Sequence, residues 1–575
     1  MLTKKYLKDN NLLAVPFDKG VGICIMKKET YEQKLSVITN LPQFEKVVKT
    51  RKNEKHPVLK EEERIIDILK ALRDDGKISE ELYFKLHQTG TQPARLYGLA
   101  KVHKGSVPLR PVLSMPGSTY HKIGDQVAEW LSTVKECQIN SSTKTISDSL
   151  KDVQLEEDEE IISFDVSSLY TNVPVTEAIE VCADLLYSGR YKQPPVDKET
   201  FIQLAQTSSC NVLMSTPEGY MRQVDGLAMG SPPAPHFANG WLSQFDPIIM
   251  GEGCKLFSRY MDDIIMIIKR CRVEEKLSQI NSLHPNLKFT CEREVDGKLP
   301  FLDMMIINTN GRLSSTWYNK PTDTGLIMNF HALAPKKYKW SVVSGFVYRI
   351  YRACNNWEHL HTSLEKAKRI LERNQYPPDF YEPIIKKTLQ DIVGESEKTV
   401  TNDVIQEEVS NLQEDEQNTE EVPKKLLFIQ YRGKCTEAFA RALHRCKAPG
   451  TVVMTLRKLK TVLPSLKPSV EKKIRSGVVY KVHCPRCRAC YVGCTTRHLI
   501  TRSGEHRTQK KKTMARHLKE CQAKITCDDF EILASSSRGQ NHLETLEALF
   551  IREINPQINT KDEYRSKELT IKLVP

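Results

Sequence analysis

Two adjacent acids interrupt an otherwise apolar run, "FSRYMDDIIMII", at residues 257–268. The pattern predicts two short strands, "FSRYM" and "IIMII", with Asp262 and Asp263 at the turn between them. A third acid, Asp165, ends another short apolar strand after an acidic loop, "EEDEEIISFDV" at 156–166. Ionised carboxylates are costly to bury alone, so acids in such strands need partners. Brought together they would bind Mg²⁺, whereas a lone Asp-Asp pair is usually a solvated turn.

Charge and cysteine are unevenly distributed along the 575 residues, whose formal net charge is +13. Residues 457–520 hold eighteen Lys and Arg against three acids, and residues 395–421 hold ten acids against one Lys. A basic module behind an acidic segment indicates a nucleic-acid partner, with a solvated surface as the alternative. Six of the sixteen Cys lie between residues 484 and 527, which is typical of a metal site in a reducing compartment.

The sequence predicts neither a secretory signal peptide nor a membrane-spanning helix. The N-terminus lacks an apolar core followed by a cleavage site. No apolar run approaches the ~18–20 residues that span a bilayer. We therefore expect no membrane partner.

The order of predicted elements indicates an α+β fold. Alternation on both sides of Asp296-Gly297 predicts a hairpin over 287–307, and apolar residues at helical spacing predict helices over 336–372. The polar, acidic stretch at 396–423 predicts a flexible linker that few contacts should cross. We expect a mixed core, then a helical block, then a small C-terminal part that folds largely independently.

Four motifs, in order along the chain, resemble those of reverse transcriptases. They are "RPVLS" (110–114), "FDVSSLYTNVP" (164–174), "GLAMGSPPAP" (226–235) and "YMDD" (260–263). Three further stretches resemble the enzymes of Penelope-like retroelements, relatives of telomerase: "LYGLAKVHK" (96–104), "LPFLDMMI" (299–306) and "YNKPTDTG" (318–325). The resemblance implies a right-hand polymerase, with fingers, palm and thumb, that copies an RNA template into DNA.

This resemblance assigns metal and phosphate contacts to particular residues. Asp165 and Asp262, assisted by Asp263, would hold two Mg²⁺ ions, which activate the primer 3′-hydroxyl and stabilise the departing pyrophosphate. Lys101 and Arg110 would neutralise the triphosphate of the incoming dNTP, Arg as a planar fork and Lys as a point charge. Without the motifs, both cations would more often be ordinary surface residues.

Three more residues receive roles in nucleotide binding from the same resemblance. Tyr170 would stack beneath the sugar and exclude a 2′-hydroxyl, although taken alone it would more often be a core aromatic. Gly230 and Ser231 would let the backbone approach the template and the incoming base. As a bare "GSP" they would be an ordinary turn.

The stretch "GVVYKVHCPRCRACYVGCTTRHLITRSGEHR" (477–507) resembles a GIY-YIG nuclease. "VVY" and "YVG" stand for the two Tyr motifs and supply Tyr480 and Tyr491. Arg502 follows eleven residues after Tyr491, and His506 lies one helical turn later. The resemblance implies that Tyr480, Tyr491 or His506 helps to deprotonate the attacking water, and that Arg502 stabilises the charge on the reacting phosphate.

A second stretch, "LETLEALFIREINPQIN" (543–559), completes this pattern. Glu547 would bind a single Mg²⁺ that stabilises the leaving oxygen, with Glu544 an equally plausible neighbour. Asn559 lies twelve residues after Glu547, at the spacing of the family's terminal Asn.

The Cys-rich loop of this module predicts a zinc site. Zinc prefers four thiolate or imidazole ligands in a tetrahedron, with thiolates paired by a tight loop. We prefer Cys484, Cys487, His517 and Cys521, the last two at i and i+4 of a predicted helix. Cys490 could replace Cys487, and reduced, unligated thiols are the alternative to a metal site.

These observations divide the chain into predicted parts, from the N-terminus onward. They are an N-terminal segment with the fingers (1–115), a palm (116–307), a helical thumb (308–394), an acidic flexible linker (395–424), a basic connector (425–476), a small α/β GIY-YIG nuclease domain (477–560) and a tail (561–575).

The expected function is that of a Penelope-like reverse transcriptase coupled to a DNA-nicking nuclease, which would act on an RNA template, a DNA target and primer, and dNTPs. Location in the nucleus follows from the resemblance. The alternatives are a domesticated nucleic-acid-binding protein that has lost the chemistry, or a telomerase-like polymerase that needs no nuclease. The presence of the metal-binding acids argues against the domesticated binding protein.

Overall fold

The computed structural model describes residues 2–48, 54–138, 142–252, 254–406, 426–446, 451–456, 463–508 and 513–559. Strands and helices are interspersed along these residues, so the structure is mixed α/β, the coarser part of the α+β fold that the sequence predicted. The strands are β1 Leu12–Pro16, β2 Ile23–Lys27, β3 Phe44–Lys46, β4 Ala94–Ala100, β5 Leu109–Ser114, β6 Glu159–Val166, β7 Val212–Thr216, β8 Gly219–Gln223, β9 Phe257–Tyr260, β10 Asp263–Lys269, β11 Phe289–Arg293, β12 Lys298–Phe301, β13 Met304–Thr309, β14 Arg312–Trp317, β15 Leu426–Gln430, β16 Thr451–Thr455, β17 Val478–His483, β18 Cys490–Thr495 and β19 Phe530–Ser535.

Helices cover the faces of these strands and form a block of their own after β14. They are α1 Leu2–Asp9, α2 Lys28–Thr39, α3 Pro57–Asp74, α4 Glu80–Leu86, α5 His121–Leu131, α6 Thr143–Ser149, α7 Leu169–Asn172, α8 Val175–Leu186, α9 Lys198–Ser209, α10 Ala234–Ser243, α11 Asp246–Met250, α12 Val273–Asn281, α13 Lys336–Ala353, α14 Trp357–Arg373, α15 Pro378–Gln406, α16 Lys434–Arg445, α17 Leu499–Thr508, α18 Thr513–Glu520 and α19 Gln540–Ile554.

The strands that carry the three acids form one antiparallel sheet in the order β11-β6-β10-β9. Its two central strands are buried on both faces. Ile162, Phe164 and Ile264 pack into the core of the N-terminal half, whereas Ile161 and Ile265 pack against β12–β14 and α13–α15. Double burial explains the unbroken apolar run that surrounds the acids, because neither face of these strands meets water.

A five-stranded sheet, β3-β8-β7-β4-β5, holds the predicted fingers motifs. β5 contains "RPVLS" and pairs with β4, which contains "LYGLA". β1 and β2 form a separate hairpin, and the Asp18 backbone N–H donates at 2.9 Å to the carbonyl of Ala100, the last residue of β4. The loop after β1 therefore lies beside the end of β4.

Two sequence predictions about the middle of the chain need correction. Asp296 and Gly297 do form a tight turn with positive φ, but β11 pairs with β6 and β12 pairs with β13, so the strands on either side of the turn enter different sheets. The predicted helical thumb also begins with strand, because residues 304–317 form the β13–β14 hairpin and the helices start at Lys336.

The predicted linker and connector also differ from expectation. α15 extends to Gln406, so the backbone of residues 395–406 is helical, and the rest of the predicted linker to residue 424 lies outside the described residues. The connector contains a β15–α16–β16 unit with parallel strands. The predicted tail at 561–575 also lies outside the described residues.

The C-terminal module is a three-stranded antiparallel sheet, β18-β17-β19, with α17, α18 and α19 around it. The expectation that few contacts would join it to the rest of the chain is contradicted, whereas its independent folding stays a prediction. Ile474, just before β17, is fully buried in the same core as the fingers and palm, and Leu466 and Val470 pack against that core. Contacts remote in sequence, which a composition pattern does not encode, join the two parts.

Candidate active sites and metal centre

Asp165 and Asp263 lie directly opposite each other on β6 and β10. Asp262 lies in the preceding turn, where Met261 adopts a positive φ of 57°. The Asp262 carbonyl accepts a hydrogen bond from the Val166 N–H at 3.3 Å, which ties the turn to the end of β6. The three acids that the sequence singled out are thus brought to one end of one sheet.

The electrostatics of these three acids favour the binding of a cation among them. Burial, and then the charge of Asp262, raise the pKa of Asp165. Burial followed by the charges of Asp262 and Asp165 raises the pKa of Asp263 to about 6. Like charges confined together are costly unless a cation neutralises them. An all-carboxylate donor set of this kind fits Mg²⁺, which prefers hard oxygen ligands.

Cations from three separate segments surround the acids. Lys19 and Lys320 lower the pKa values of both Asp165 and Asp263 by their charge, although neither outweighs burial. Arg110 lies 2.7 Å from Asp18, whose carboxylate is almost fully buried. Sequence reasoning missed Asp18 and Lys19 as site residues. The available signal was the adjacent acid and cation in "PFDKG".

Lys101, the other cation that the resemblance assigned to the triphosphate, lies close enough to Arg110 for their charges to interact. Burial, and then the charge of Arg110, lower the pKa of Lys101. Two cations that repel each other in this way favour an anionic ligand between or beside them.

A cavity of about 610 Å³ connects these groups. It is open between the palm strands, the loop after β1 and the segment after β14, and its lining includes Lys19, His103, Asp165, Asp263 and Lys320. Acids and cations in the lining of one cavity suit a ligand that carries phosphate groups and is bound through metal.

The predicted nucleotide-binding loop packs against this site. The Met229 carbonyl accepts a hydrogen bond from the Leu113 N–H of β5 at 2.8 Å, and the Leu227 N–H donates to the Tyr170 carbonyl at 2.6 Å. Gly230 has a φ of +115°, and a Cβ there would stand 2.3 Å from the Leu113 carbonyl oxygen, so only glycine fits. Ser231 is buried immediately after it.

Tyr170 is partly buried close to the acids. Burial raises the pKa of its hydroxyl, and the charge of Asp262 raises it further. The ring also packs against the N-terminal core. The position suits a ring that bounds the nucleotide site.

Arg259, which the sequence did not single out, supports the turn that carries Asp262. Its side chain is 1% exposed and makes a bidentate ion pair with Asp246, at 2.8 Å for each contact. The same guanidinium donates to the Met261 carbonyl at 3.2 Å and to Asn239. A buried Arg with these partners holds the turn in place.

The second site lies in the C-terminal module, where the predicted Tyr, His and Arg converge. The Tyr480 hydroxyl lies 2.6 Å from His506 Nε2, and Arg502 Nε donates to the same hydroxyl at 3.0 Å. The Tyr491 ring packs edge-on against His506, with centroids 5.4 Å apart. Burial raises the pKa of Tyr480 strongly, although Arg502 acts in the opposite direction.

Glu547 and Asn559 join this site from the end of the chain. Cys494 Sγ lies 3.2 Å from a Glu547 carboxylate oxygen, and the Asn559 side chain makes two hydrogen bonds with the Val492 backbone, at 2.9 and 2.8 Å. Glu544 instead accepts from the Gln540 amide at 2.9 Å. The contact with Cys494, one residue beyond "YVG", favours Glu547 over Glu544 as the carboxylate that would hold Mg²⁺.

The preferred zinc ligands also come together. The ligand atoms of Cys484, Cys487, His517 and Cys521 all lie within 4.8 Å of one another. Ideal zinc–thiolate geometry places sulfur atoms about 3.8 Å apart, so the group fits a tetrahedral ion. Backbone and His517 hydrogen bonds more than offset burial and lower the pKa of Cys484 to about 6, as a thiolate ligand requires. Cys490 lies outside this group, in the core between the sheet and α19.

Replacing Cys484 with Ser is expected to release zinc and unfold the C-terminal module, because a structural zinc site contributes directly to the folding of a small domain. Metal analysis and thermal melting would measure both effects. Cys490→Ala is the matched control and should retain the zinc. Equal zinc loss in the two variants would contradict this ligand set.

Comparison with known proteins adds one sequence match and several distant structural likenesses. A family model described as an animal helix-turn-helix domain matches residues 326–386, which include α13, α14 and the start of α15. No curated protein sequence matches the chain. Among the described residues, no helix combines the length and apolar character needed to cross a bilayer.

The similar solved structures are polymerases. Telomerase from Candida albicans, in complex with a fragment of telomeric RNA, is 10% identical at a TM-score of 0.42, over 67% of this chain and 68% of that one. Apo telomerase from Candida tropicalis is 12% identical at 0.38, over 69% and 68%. The RNA-dependent RNA polymerase 3Dpol of a sicinivirus is 10% identical at 0.32, over 54% and 71%.

Proposed function

We propose that this chain is an RNA-directed DNA polymerase of the Penelope-like type, joined to a GIY-YIG nuclease that nicks the DNA target and so supplies the primer. One observation carries the proposal. Asp165 and Asp263 are cross-strand partners beside Asp262, in a cavity whose lining also includes Lys19 and Lys320. That combination suits metal-dependent transfer of a nucleotide.

The polymerase chemistry assigns each group a task. Bound Mg²⁺ would lower the pKa of the primer 3′-hydroxyl and neutralise charge on the leaving pyrophosphate. Asp165 and Asp262 would hold the ions, and Asp263 would assist from the strand opposite Asp165. Arg259 would act as a positioning residue, because it contacts the carbonyl of Met261, next to Asp262.

The cations of the fingers would bind the triphosphate. Arg110 offers a planar fork for two phosphate oxygens and Lys101 a point charge. Asp18, paired with Arg110, would fix the guanidinium in orientation before the nucleotide arrives. Lys19 and Lys320, which line the cavity, would reach the same phosphates.

Tyr170→Ala should raise ribonucleotide incorporation more than it lowers deoxynucleotide incorporation, because the ring would collide with a 2′-hydroxyl. We expect a change of about 10- to 100-fold in the ratio of kcat/KM for dNTP over rNTP, or about 1.4–2.7 kcal/mol. Tyr170→Phe keeps the ring and should keep the discrimination. An unchanged ratio in Tyr170→Ala would mean that Tyr170 packs in the core and takes no part in discrimination between the two sugars.

The nuclease chemistry would use the second site in a comparable way. Bound Mg²⁺ on Glu547 would stabilise the leaving oxygen of the cut strand. His506 and Tyr480, which share a short hydrogen bond, would accept the proton of the attacking water. Arg502 would stabilise the charge that develops on the phosphate. Asn559 would brace the strand that carries Tyr491 through its bonds to Val492.

Nucleic acid is the partner that the remaining features support. The helix-turn-helix match falls on the predicted thumb, and its first helix begins with Lys336, Lys337 and Lys339. These cations would grip the RNA–DNA duplex by its phosphates. A nuclear site of action remains part of this proposal.

Two alternative functions would account for fewer of these features. A domesticated binding protein would have no need of the acids, yet Asp165, Asp262, Asp263 and Glu547 are all present. A telomerase-like polymerase would explain the first site alone. The clustering of Arg502, His506 and Tyr480 around a second centre favours the coupled enzyme.

The experiment that tests the whole proposal supplies supercoiled plasmid, RNA and labelled dNTPs to the purified full chain with Mg²⁺. Sequencing of the products should find DNA copied from the RNA and joined covalently to the 3′ end of a plasmid nick. Nicked plasmid without any joined copy, under conditions where a supplied primer is extended, would contradict the coupling.

A further inference from the structure

The C-terminal module docks on the fingers through a buried polar contact. His498, which precedes α17 and is 2% exposed, lies with Nε2 at 2.6 Å from the Thr91 carbonyl and with Nδ1 at 3.7 Å from Glu62. Glu62 in turn accepts hydrogen bonds from the Thr91 N–H and hydroxyl, both at 2.6 Å. The contact therefore ties the start of α17 to the loop before β4.

Backbone from the two parts comes close at the same place. Gly90 has a φ of +71°, and a Cβ there would stand 2.1 Å from the Thr496 carbonyl oxygen. No larger residue fits without separating the surfaces. The docking is thus close packing, not a loose encounter of two surfaces.

Beside this contact the two parts enclose a cleft of about 800 Å³, the docking cleft. Its walls come from the loop before β4, from β4, from the start of α5, and from the loops before β17 and α19. The lining residues are His87, Gln88, Thr89, Gly90, Thr91, Gln92, Arg95, Pro116, Gly117, Lys122, Ser476, Gly477, Thr496, Ser535, Ser536, Ser537, Gly539 and Leu543. None of them is a carboxylate.

One acid lies beside the docking cleft, Glu62, whose carboxylate already accepts hydrogen bonds from the Gly90 and Thr91 N–H groups and whose charge acts to raise the pKa of His87. Arg95 is half-buried, and burial lowers its pKa with no carboxylate among the described residues acting against it. The Lys122 ammonium donates to the His87 carbonyl at 3.4 Å. Burial, and then the charges of Lys122 and Lys70, lower the pKa of His87. A desolvated guanidinium without a counter-charge is costly, and an anionic ligand would offset that cost.

We propose that the docking cleft binds the phosphodiester backbone of a single-stranded nucleic acid, with Arg95 and Lys122 on the phosphates. Hydroxyls and backbone groups from both parts would supply neutral hydrogen bonds, as sequence-independent strand binding requires. The volume lies in the range of sites for small ligands, so it admits a few nucleotides but no duplex. The inference rests on the proposed function in one respect, that a strand passing between nuclease and polymerase would run here.

The test measures binding without catalysis. A labelled single strand of about 20 nucleotides, long enough to cover such a site, is titrated in Mg²⁺-free buffer at several salt concentrations. The variants are Arg95→Ala, Lys122→Ala and both together. Arg312→Ala is the matched control, because Arg312 also lies on a strand and is exposed outside the docking cleft. Arg95→Lys keeps the charge.

The double variant should bind about 10-fold more weakly, and the slope of log K against log salt should fall by about 1.4, since each phosphate contact contributes about 0.7 for single strands. Arg95→Lys should retain most of the binding and Arg312→Ala all of it. An unchanged slope in the double variant would overturn the inference, and so would an equal loss for a duplex.

A second readout keeps the inference testable if substitution perturbs the fold. A strand carrying 4-thiothymidine, photo-crosslinked to the wild-type chain, should attach to peptides within 87–95 and 535–543. Crosslinks confined to other peptides would overturn the inference. Extension of a primer with a recessed 3′ end on a short template, and plasmid nicking, measured on the same variants, report separately on the proposed function.

Discussion

Asp262→Asn is expected to abolish RNA-templated primer extension, with a loss of at least about 1,000-fold, or roughly 4 kcal/mol of transition-state stabilisation. An amide is neutral and cannot replace an ionised metal ligand. The side chain lies in the turn at the end of β9, where its charge already raises the pKa values of Asp165 and Asp263. The variant should fold normally, since removing one of three crowded charges relieves repulsion.

The measurement is single-nucleotide extension of a labelled primer on RNA, with circular dichroism to check folding. Asp75→Asn is the matched control, because Asp75 is an exposed acid at the end of α3, and it should leave extension unchanged. Plasmid nicking should persist in Asp262→Asn. Extension at the wild-type rate by that variant would remove Asp262 from the metal site.

Glu547→Gln is expected to end plasmid nicking while extension of a supplied primer stays within about twofold of wild type. The loss should reach 100-fold or more, because the carboxylate is the proposed ligand of the only ion in the nuclease site. Melting of the module should change little, since Gln can still accept the hydrogen bond from Cys494.

Glu544→Gln provides the matched control one helical turn away and should keep most of the nicking. Its carboxylate accepts a hydrogen bond from the Gln540 amide at the start of α19, at 2.9 Å. The scheme fails if Glu547→Gln still nicks after the preparation is shown free of contaminating nuclease. It also fails if the Glu544→Gln and Glu547→Gln variants lose nicking equally, since then neither is the specific ligand.

The sequence predicted the sites best where the residues that must meet lie close together along the chain. The strand–turn–strand around Asp262 follows from apolar residues on both sides of a pair of acids, and the structure places β9 and β10 there. The CxxC spacing and the i, i+4 pair "HLKEC" likewise predicted four ligands that the structure brings within 4.8 Å of one another. In both cases the residues that must meet lie close in sequence or on one helix.

Contacts between remote segments could not be predicted in this way. His498 and Thr91 are 407 positions apart, and the contact buries a polar pair that composition alone assigns to the surface. The ion pair of Asp18 with Arg110 depends on the loop after β1 lying beside the end of β4. The acidic stretch suggested two independent parts, but packing of Ile474 into the N-terminal core outweighs that local signal.

Asp296-Gly297 illustrates an intermediate case. The tight turn follows from the residue types, because both must adopt positive φ. The pairing of the strands next to the turn depends on the two cores on either side of β6 and β10. β11 packs in one core and β12 in the other, so the two strands belong to different sheets.

The most direct measurement of the central claim is extension of a DNA primer annealed to RNA by the purified wild-type chain with Mg²⁺ and dNTPs. The account predicts a full-length DNA copy that ends at the 5′ end of the RNA, that disappears when Mg²⁺ is chelated and that is absent with Asp262→Asn. A folded wild-type chain that binds the primer–template but adds no nucleotide with Mg²⁺ would contradict it.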